Sequence, residues 1–217
     1  MYTKIKLLTL ASGMFFFTSC DNGATTKTNT VTDSTKMNAG KSDSMENMKS
    51  ENGLMTSMNN MMGKMGEMKM SGDFDMDFAN MMIEHHQGAI EMSEAEIKSG
   101  TDDKLKAMAQ KIIASQKEEQ TKLRDIVKNS KPMKMDMGKH DELTKEMNAM
   151  KTNMSGMQMT GSADKDFSMM MISHHESAIK MAKAELSHGM NAGLKQIAQK
   201  IINDQTKEVG EFKSSMK

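Results

Sequence analysis

The segment FANMMIEHHQGAIEM at 78–92 returns as FSMMMISHHESAIKM at 167–181, and the offset of 89 residues holds without a gap far beyond it. His85 and His86 map onto His174 and His175, Met92 onto Met181, Glu96 onto Glu185, Gly100 onto Gly189 and Leu105 onto Leu194. AQKII at 109–113 reappears at 198–202, and Gln116 and Glu119 reappear as Gln205 and Glu208. In the other direction Met58, Met61, Met65 and Met68 become Met147, Met150, Met154 and Met157. A register kept over such a length is a duplication. Two copies are too few for a solenoid, and they suit a helical bundle with pseudo-twofold symmetry.

Each copy has the period of helices. Asp73 or Ser71, and Asp164 or Ser162, are candidate N-caps for a histidine-bearing helix, and Gly100 and Gly189 are candidate C′ residues that stop it. Thr101 and Asn191 can cap the helix that follows. That helix carries Leu105, Ala109, Ile112, Ile113, Gln116 and Leu123, echoed by Leu194, Ala198, Ile201, Ile202, Gln205 and Phe212, at 3.6-type spacing. Pro132, the single proline, falls between the copies, where a helix ends. No segment alternates with period two. The expectation is an all-α, four-helix core built from two repeats, 51–128 and 140–217, within a helical domain spanning 51–217. Met-rich segments at 51–70 and 140–159 add shorter, looser helices.

Ahead of that domain, Lys4 and Lys6 precede the apolar run Leu7 to Phe17, then Thr18, Ser19 and Cys20. A positive start, a short apolar stretch and small residues read as a secretory signal over 1–19; the run is short for a membrane span. The stretch FTSC resembles a bacterial lipobox. It implies cleavage before Cys20 and lipid on its thiol, hence a membrane anchor in the bacterial envelope, on its periplasmic or outer-surface side. Residues 20–50 are mostly Thr, Asn, Ser, Lys, Asp and Gly, too polar to offset the entropy of ordering, and read as a flexible tether. Cys20 is the only cysteine, so no disulfide and no thiolate metal site is available. Without residues 1–19 the charge is 27 Lys+Arg against 29 Asp+Glu, a balance of −2, with no basic stripe for nucleic acid.

The 31 methionines fill much of the aliphatic role. Met packs irregular gaps, and its thioether is also a soft metal ligand. Neighbouring side chains on a helix point about 100° apart, so His85 and His86 cannot share one ion from a single face. Their natural partners lie one turn away. Met81 stands four before His85 and Met82 four before His86; Met170–His174 and Met171–His175 repeat the pattern, with Met92 and Met181 two turns on. His188 continues the second stripe. Imidazole with thioether favours Cu(I) or Ag(I) over hard cations. Thioether has no proton to lose and avoids disulfide chemistry outside the cytosol. Met58, Met61, Met65 and Met68, with Met147, Met150, Met154 and Met157, are secondary thioether candidates. The same stripe is also a core seam at heptad spacing, and a buried His is often only a hydrogen-bonded core residue.

Here a family resemblance appears. DFANMMIEHHQGAIEMSEAEI and DFSMMMISHHESAIKMAKAEL, each followed by AQKII and a Gln, are similar to the domain-of-unknown-function family 305 over roughly 72–217. The resemblance implies a ferritin-like bundle of two such halves in secreted or envelope-attached bacterial proteins. It also implies copper binding, as in Met/His-rich members of the CopM kind. The residues carried over are His85, His86, Met82 and Met92, then His174, His175, Met171 and Met181. Glu176-Ser177 departs from Gln87-Gly88 of the first copy.

Three functions compete. The first is a lipoprotein that buffers Cu(I), or silver, without turnover, and exchanges it with a transfer partner the sequence does not identify. The second is a metal-free interaction or oxidant-scavenging protein whose methionines cycle through the sulfoxide. The third is a ferritin-like di-iron enzyme. That centre needs two Glu-X-X-His motifs, and the residues three before the four histidines are Met82, Ile83, Met171 and Ile172. No catalytic Ser/His/Asp or Cys/His constellation is present.

Overall fold

The computed structural model describes residues 40–131 and 140–216. They form six helices and no strand: α1 (Gly40–Glu67), α2 (Phe74–Ser99), α3 (Asp103–Asn129), α4 (His140–Ser155), α5 (Ala163–His188) and α6 (Ala192–Ser215). The all-α expectation is met. In the first repeat α2 packs on α1 and α3; in the second, α5 packs on α4 and α6. The halves meet chiefly through α2 against α5, with α1 touching α5 and α3 touching α6. The duplication is therefore a spatial one, and the two histidine helices lie at its centre.

The expected signal peptide, Cys20, most of the tether and Pro132 lie outside the described residues. α1 opens at Gly40, inside the stretch expected to be tether. Its polar first turns continue a helix that is anchored further on by buried Leu54, Met58, Met61 and Met65. The Met-rich segments are thus not loose. Met150 and Met154 are buried as well, and Met68, Met147 and Met157 lie half-buried against the core.

α2 and α5 bury most of their residues and leave one polar stripe each, Glu84, Glu91, Glu94 and Lys98 on α2 and Glu176, Lys180 and Lys183 on α5. α3 and α6 bury one stripe each: Leu105, Ala109, Ile112, Gln116, Glu119 and Leu123, and Leu194, Ala198, Ile201, Gln205 and Phe212. Each fully buried Leu, Ile, Met or Phe contributes roughly 1.5–3 kcal/mol. No described helix is long and apolar enough to cross a membrane.

The caps refine the sequence reading. Asp73 caps α2 by accepting from Met76 N at 3.1 Å, whereas Ser162 occupies the cap position of α5 without a side-chain bond. Asp102, not Thr101, caps α3, taking Lys104 N at 2.7 Å and Leu105 N at 3.1 Å. Asn191, its repeat mate, caps α6 through Gly193 N and Leu194 N. Thr101 is instead used across the molecule. Its N–H and hydroxyl donate to Asp164 at 2.9 and 2.6 Å, and Asp102 N donates there too. Symmetrically, Asp75 accepts from Met190 N and Asn191 N at 2.9 and 3.1 Å. The first turn of each histidine helix thus holds the loop that opens the last helix of the other repeat.

Gly100 and Gly189 end their helices with φ of −67° and −64°, an ordinary extended backbone rather than the left-handed one expected. They are glycine for space, since a Cβ there would run into the carboxyl of Glu96 or Glu185. The left-handed glycines are Gly72 (φ 85°) and Gly161 (φ 82°), where the chain turns into α2 and α5. Glu96 and Glu185 are wholly buried and face Asp164 and Asp75. Two carboxyls can bond only if one keeps its proton. Burial first, then the aspartate beside each, pushes Glu96 up to about 8 and Glu185 to about 9, so the glutamates hold the protons.

Candidate metal centre

His85, His86, His174 and His175 have no solvent exposure, and neither have Met81, Met82, Met92, Met170, Met171 and Met181. The sequence placed these ten on two stripes of two helices. Packing α2 on α5 puts both stripes inside the protein, with α1 and α3 covering α2 and α4 and α6 covering α5.

The histidines meet across the pseudo-twofold axis. The rings of His85 and His174 stack with centroids 3.7 Å apart and an interplanar angle of 40°. His174 Nε2 lies 2.8 Å from the carbonyl oxygen of His85. A carbonyl only accepts, so this nitrogen carries the ring proton and Nδ1 keeps its lone pair. Burial first, and then neighbouring imidazoles, hold both His85 and His174 well below the usual histidine range. Both rings are neutral at pH 7 and are Lewis bases.

His86 and His175 turn outward from this pair to the flanking helices. His86 Nε2 stands 2.8 Å from Glu119 Oε2 on α3. Its counterpart His175 Nε2 stands 2.9 Å from Glu208 Oε2 on α6, an approach too oblique to be a hydrogen bond. Burial would raise the Glu119 carboxyl, but bonds from His86 and Lys200 outweigh it and hold it below the usual range. All four histidines have Nδ1 buried with no hydrogen-bond partner, and in His85 and His175 both ring nitrogens lack one. Native interiors rarely leave such atoms unsatisfied. These six orphan nitrogens, on helices that also bury thioethers, fit a soft, weakly hydrated cation. Among the described residues no group of three or more His, Cys, Asp or Glu is placed to hold a metal.

The remaining candidates lie elsewhere. His188 is not in the cluster; its Nε2 meets Glu142 Oε2 at 2.8 Å and its ring packs edge-on against Phe74 with centroids 5.4 Å apart. The α1 and α4 methionines pack against the outer side of the histidine helices. Met61 sits so close to Gly88 that a Cβ there would fall 2.5 Å from its sulfur. The second repeat has Ser177 at that position, so the Gln87-Gly88 difference alters the seat of this methionine.

Sequence reading passed over Glu119, Glu208 and Lys200 as site residues. A signal was present, since an acid recurs on the inner stripe of α3 and α6 at the same offset of 89, where apolar residues are due. Gln116 and Gln205, one turn earlier on that stripe, are also buried, with amides that lack partners.

A family model described as "Domain of unknown function (DUF305)" matches the chain twice, over residues 21–127 and 127–216. No curated protein matches the chain in sequence. Among solved structures, the chain is similar to CopM in the Cu(I)-bound form, with 26% identity over 64% of this chain and 93% of that one and a TM-score of 0.49. It is similar to CopM in the Ag-bound form obtained by co-crystallization, with 27% identity, the same 64% and 93% coverage and a TM-score of 0.48. A DUF305 fragment from Deinococcus radiodurans matches at 17% identity over 65% of this chain and 94% of that one, TM-score 0.49.

Proposed function

We propose that this chain, which belongs to the DUF305 family, is a binding protein for a soft metal ion, Cu(I) first and Ag(I) as its congener, and works without turnover. The observation that carries the reading is the set of buried, partnerless Nδ1 atoms on His85, His86, His174 and His175. They lie on two helices whose buried faces also present Met81, Met82, Met92, Met170, Met171 and Met181. Neutral imidazole and thioether are borderline and soft donors, which suit Cu(I) and serve Ca²⁺ or Mg²⁺ poorly. Bound copper would replace the hydrogen bonds these nitrogens lack and would stabilise the α2–α5 contact.

Anchoring by lipid at Cys20, in the envelope of a bacterium, belongs to the same proposal. It rests on Lys4, Lys6, the apolar run and FTSC. The physiological role is copper buffering or resistance.

The experiment is metal analysis of full-length protein purified without a histidine tag and reconstituted with Cu(I), followed by competition with a Cu(I) chelator. Near-stoichiometric copper that resists the chelator is expected. Protein that takes up no Cu(I) overturns the reading, and iron in its place would favour the di-iron alternative. Oxidant scavenging needs reachable sulfur, and most of the described methionines are buried or half-buried; Met190 and Met216 are the exposed exceptions.

A further inference from the structure

The two repeats differ in how each holds its outer histidine. His86 donates from Nε2 to Glu119, and Glu119 is itself buried, at 3% exposure. The second oxygen of that carboxylate takes Lys200 Nζ at 2.8 Å, and Lys200 reaches in from α6 of the other repeat while also bonding Asp204 at 2.6 Å. The line Lys200–Glu119–His86 thus has every member tied. In the second repeat Glu208 is 20% exposed at its side chain and meets His175 obliquely. The repeat mate of Lys200 is Lys111, which is exposed on α3.

A carboxylate without a proton only accepts, so the His86–Glu119 bond admits one neutral tautomer, with hydrogen on Nε2. From this we infer that Nδ1 of His86 is a ligating atom, that Glu119 braced by Lys200 is the positioning residue that presents it, and that the first repeat consequently holds metal more tightly than the second. The inference rests on the copper reading above. A carboxylate on the far nitrogen of a ligating histidine fixes ring orientation and raises ligand basicity, and its loss typically weakens metal binding by roughly tenfold to a hundredfold.

The test uses full-length protein and long-range ¹H–¹⁵N correlation NMR of the imidazoles, first metal-free and then with Ag(I) or Cu(I). The metal-free protein shows His86 in a single tautomer with its proton on Nε2, and added metal shifts Nδ1 of that ring. Glu119→Leu scrambles the tautomer and weakens metal binding by roughly tenfold to a hundredfold. Glu119→Gln, which keeps an acceptor of the same size, restores most of both. Lys200→Met weakens binding more than Lys111→Met, and Glu119→Leu more than Glu208→Leu. A His86 proton on Nδ1, a metal shift at Nε2, or equal losses from the Glu119 and Glu208 variants overturns the inference while leaving the copper reading intact. A wild-type chain that binds neither ion overturns both. Should Glu119→Leu fail to fold, the wild-type tautomer and the Lys200→Met against Lys111→Met comparison still decide.

Discussion

Glu185, wholly buried near the end of α5, faces Asp75 in the first turn of α2, and Asp75 in turn accepts from the loop that opens α6. Glu96 and Asp164 repeat the arrangement on the other side, toward Thr101 and Asp102. Each buried glutamate thus sits against an aspartate of the other repeat, and burial beside that acid favours its protonated form.

These pairs make stability fall as pH rises. Each glutamate is raised from an ordinary value near 4.5, Glu96 to about 8 and Glu185 to about 9. Below pH 4.5 the glutamate is protonated in both folded and unfolded chains, and its contribution is fully present. Above that, the unfolded chain releases the proton and the folded one does not, so stability declines until the folded group ionises. The decline is at most about 1.4 kcal/mol per pH unit for each group. Facing Glu96 are Asp164, Asp102 and Lys106; facing Glu185 are Asp75, Asp73 and Lys195. Asp164 is held below its usual value, so it titrates outside this window. Below about pH 6.5 the buried neutral His85 and His174 contribute the opposite slope, since only the unfolded chain protonates them, so the falling midpoint is expected in thermal melts from pH 7 to 8. In Glu96→Gln/Glu185→Gln, which mimics the protonated acids, the fall becomes shallower. Parallel slopes in the two proteins count against the protonated glutamates.

Gly189→Ala and Gly100→Ala are expected to destabilise by about 1–3 kcal/mol, as overpacking does, although both sites have a backbone any residue adopts. The added methyl group would displace the Glu185 or Glu96 carboxyl from its aspartate. Gly210→Ala is the control. Nothing lies within 4 Å of its added Cβ, and the site is inside α6, so the change is stabilising by roughly 0.5–1 kcal/mol. Urea titrations of the three variants measure the contrast. A Gly189→Ala protein as stable as the parent rules out the steric reading.

What could be read in advance was whatever the offset of 89 carried. It gave two histidine helices, their stops at Gly100 and Gly189, the amphipathic helices after them, and the pairing of Met81 with His85 and Met82 with His86 in both copies. Carried one step further, it would have selected Asp102 as a cap, because Asn191 is its mate and Thr101 maps onto Met190. The Glu96–Asp164 and Lys200–Glu119 contacts were not legible, because each joins different repeats and depends on how α2, α3, α5 and α6 are docked. Local periodicity reports which face of a helix is buried, not what lies opposite. The Met ladder was misjudged as loose because thioethers that bind metal and thioethers that pack a seam have the same heptad spacing. Burial of Met58, Met61 and Met65 shows that the ladder packs as a core seam.

That burial sets up the last prediction, which opposes ladder and histidines. Met58 is buried in the core beside Leu54, Met61 and Met65, and Met147 is its half-buried mate. Met58→Leu/Met147→Leu keeps volume and apolarity, so it should cost under about 1.5 kcal/mol of stability and leave competition against a Cu(I) chelator nearly unchanged. His86→Ala/His175→Ala removes two imidazoles whose Nδ1 atoms are buried without partners, and also leaves Glu119 without its histidine. Chelator competition is expected to weaken far more than in the methionine pair, since each ligand of a tight site supplies a large share of its binding. Denaturant melts of the metal-free variants separate this from simple loss of folding: binding lost by a variant that still melts cooperatively belongs to the site. If the methionine pair abolishes binding and the histidine pair does not, the ladder is the metal site and the histidines are core residues.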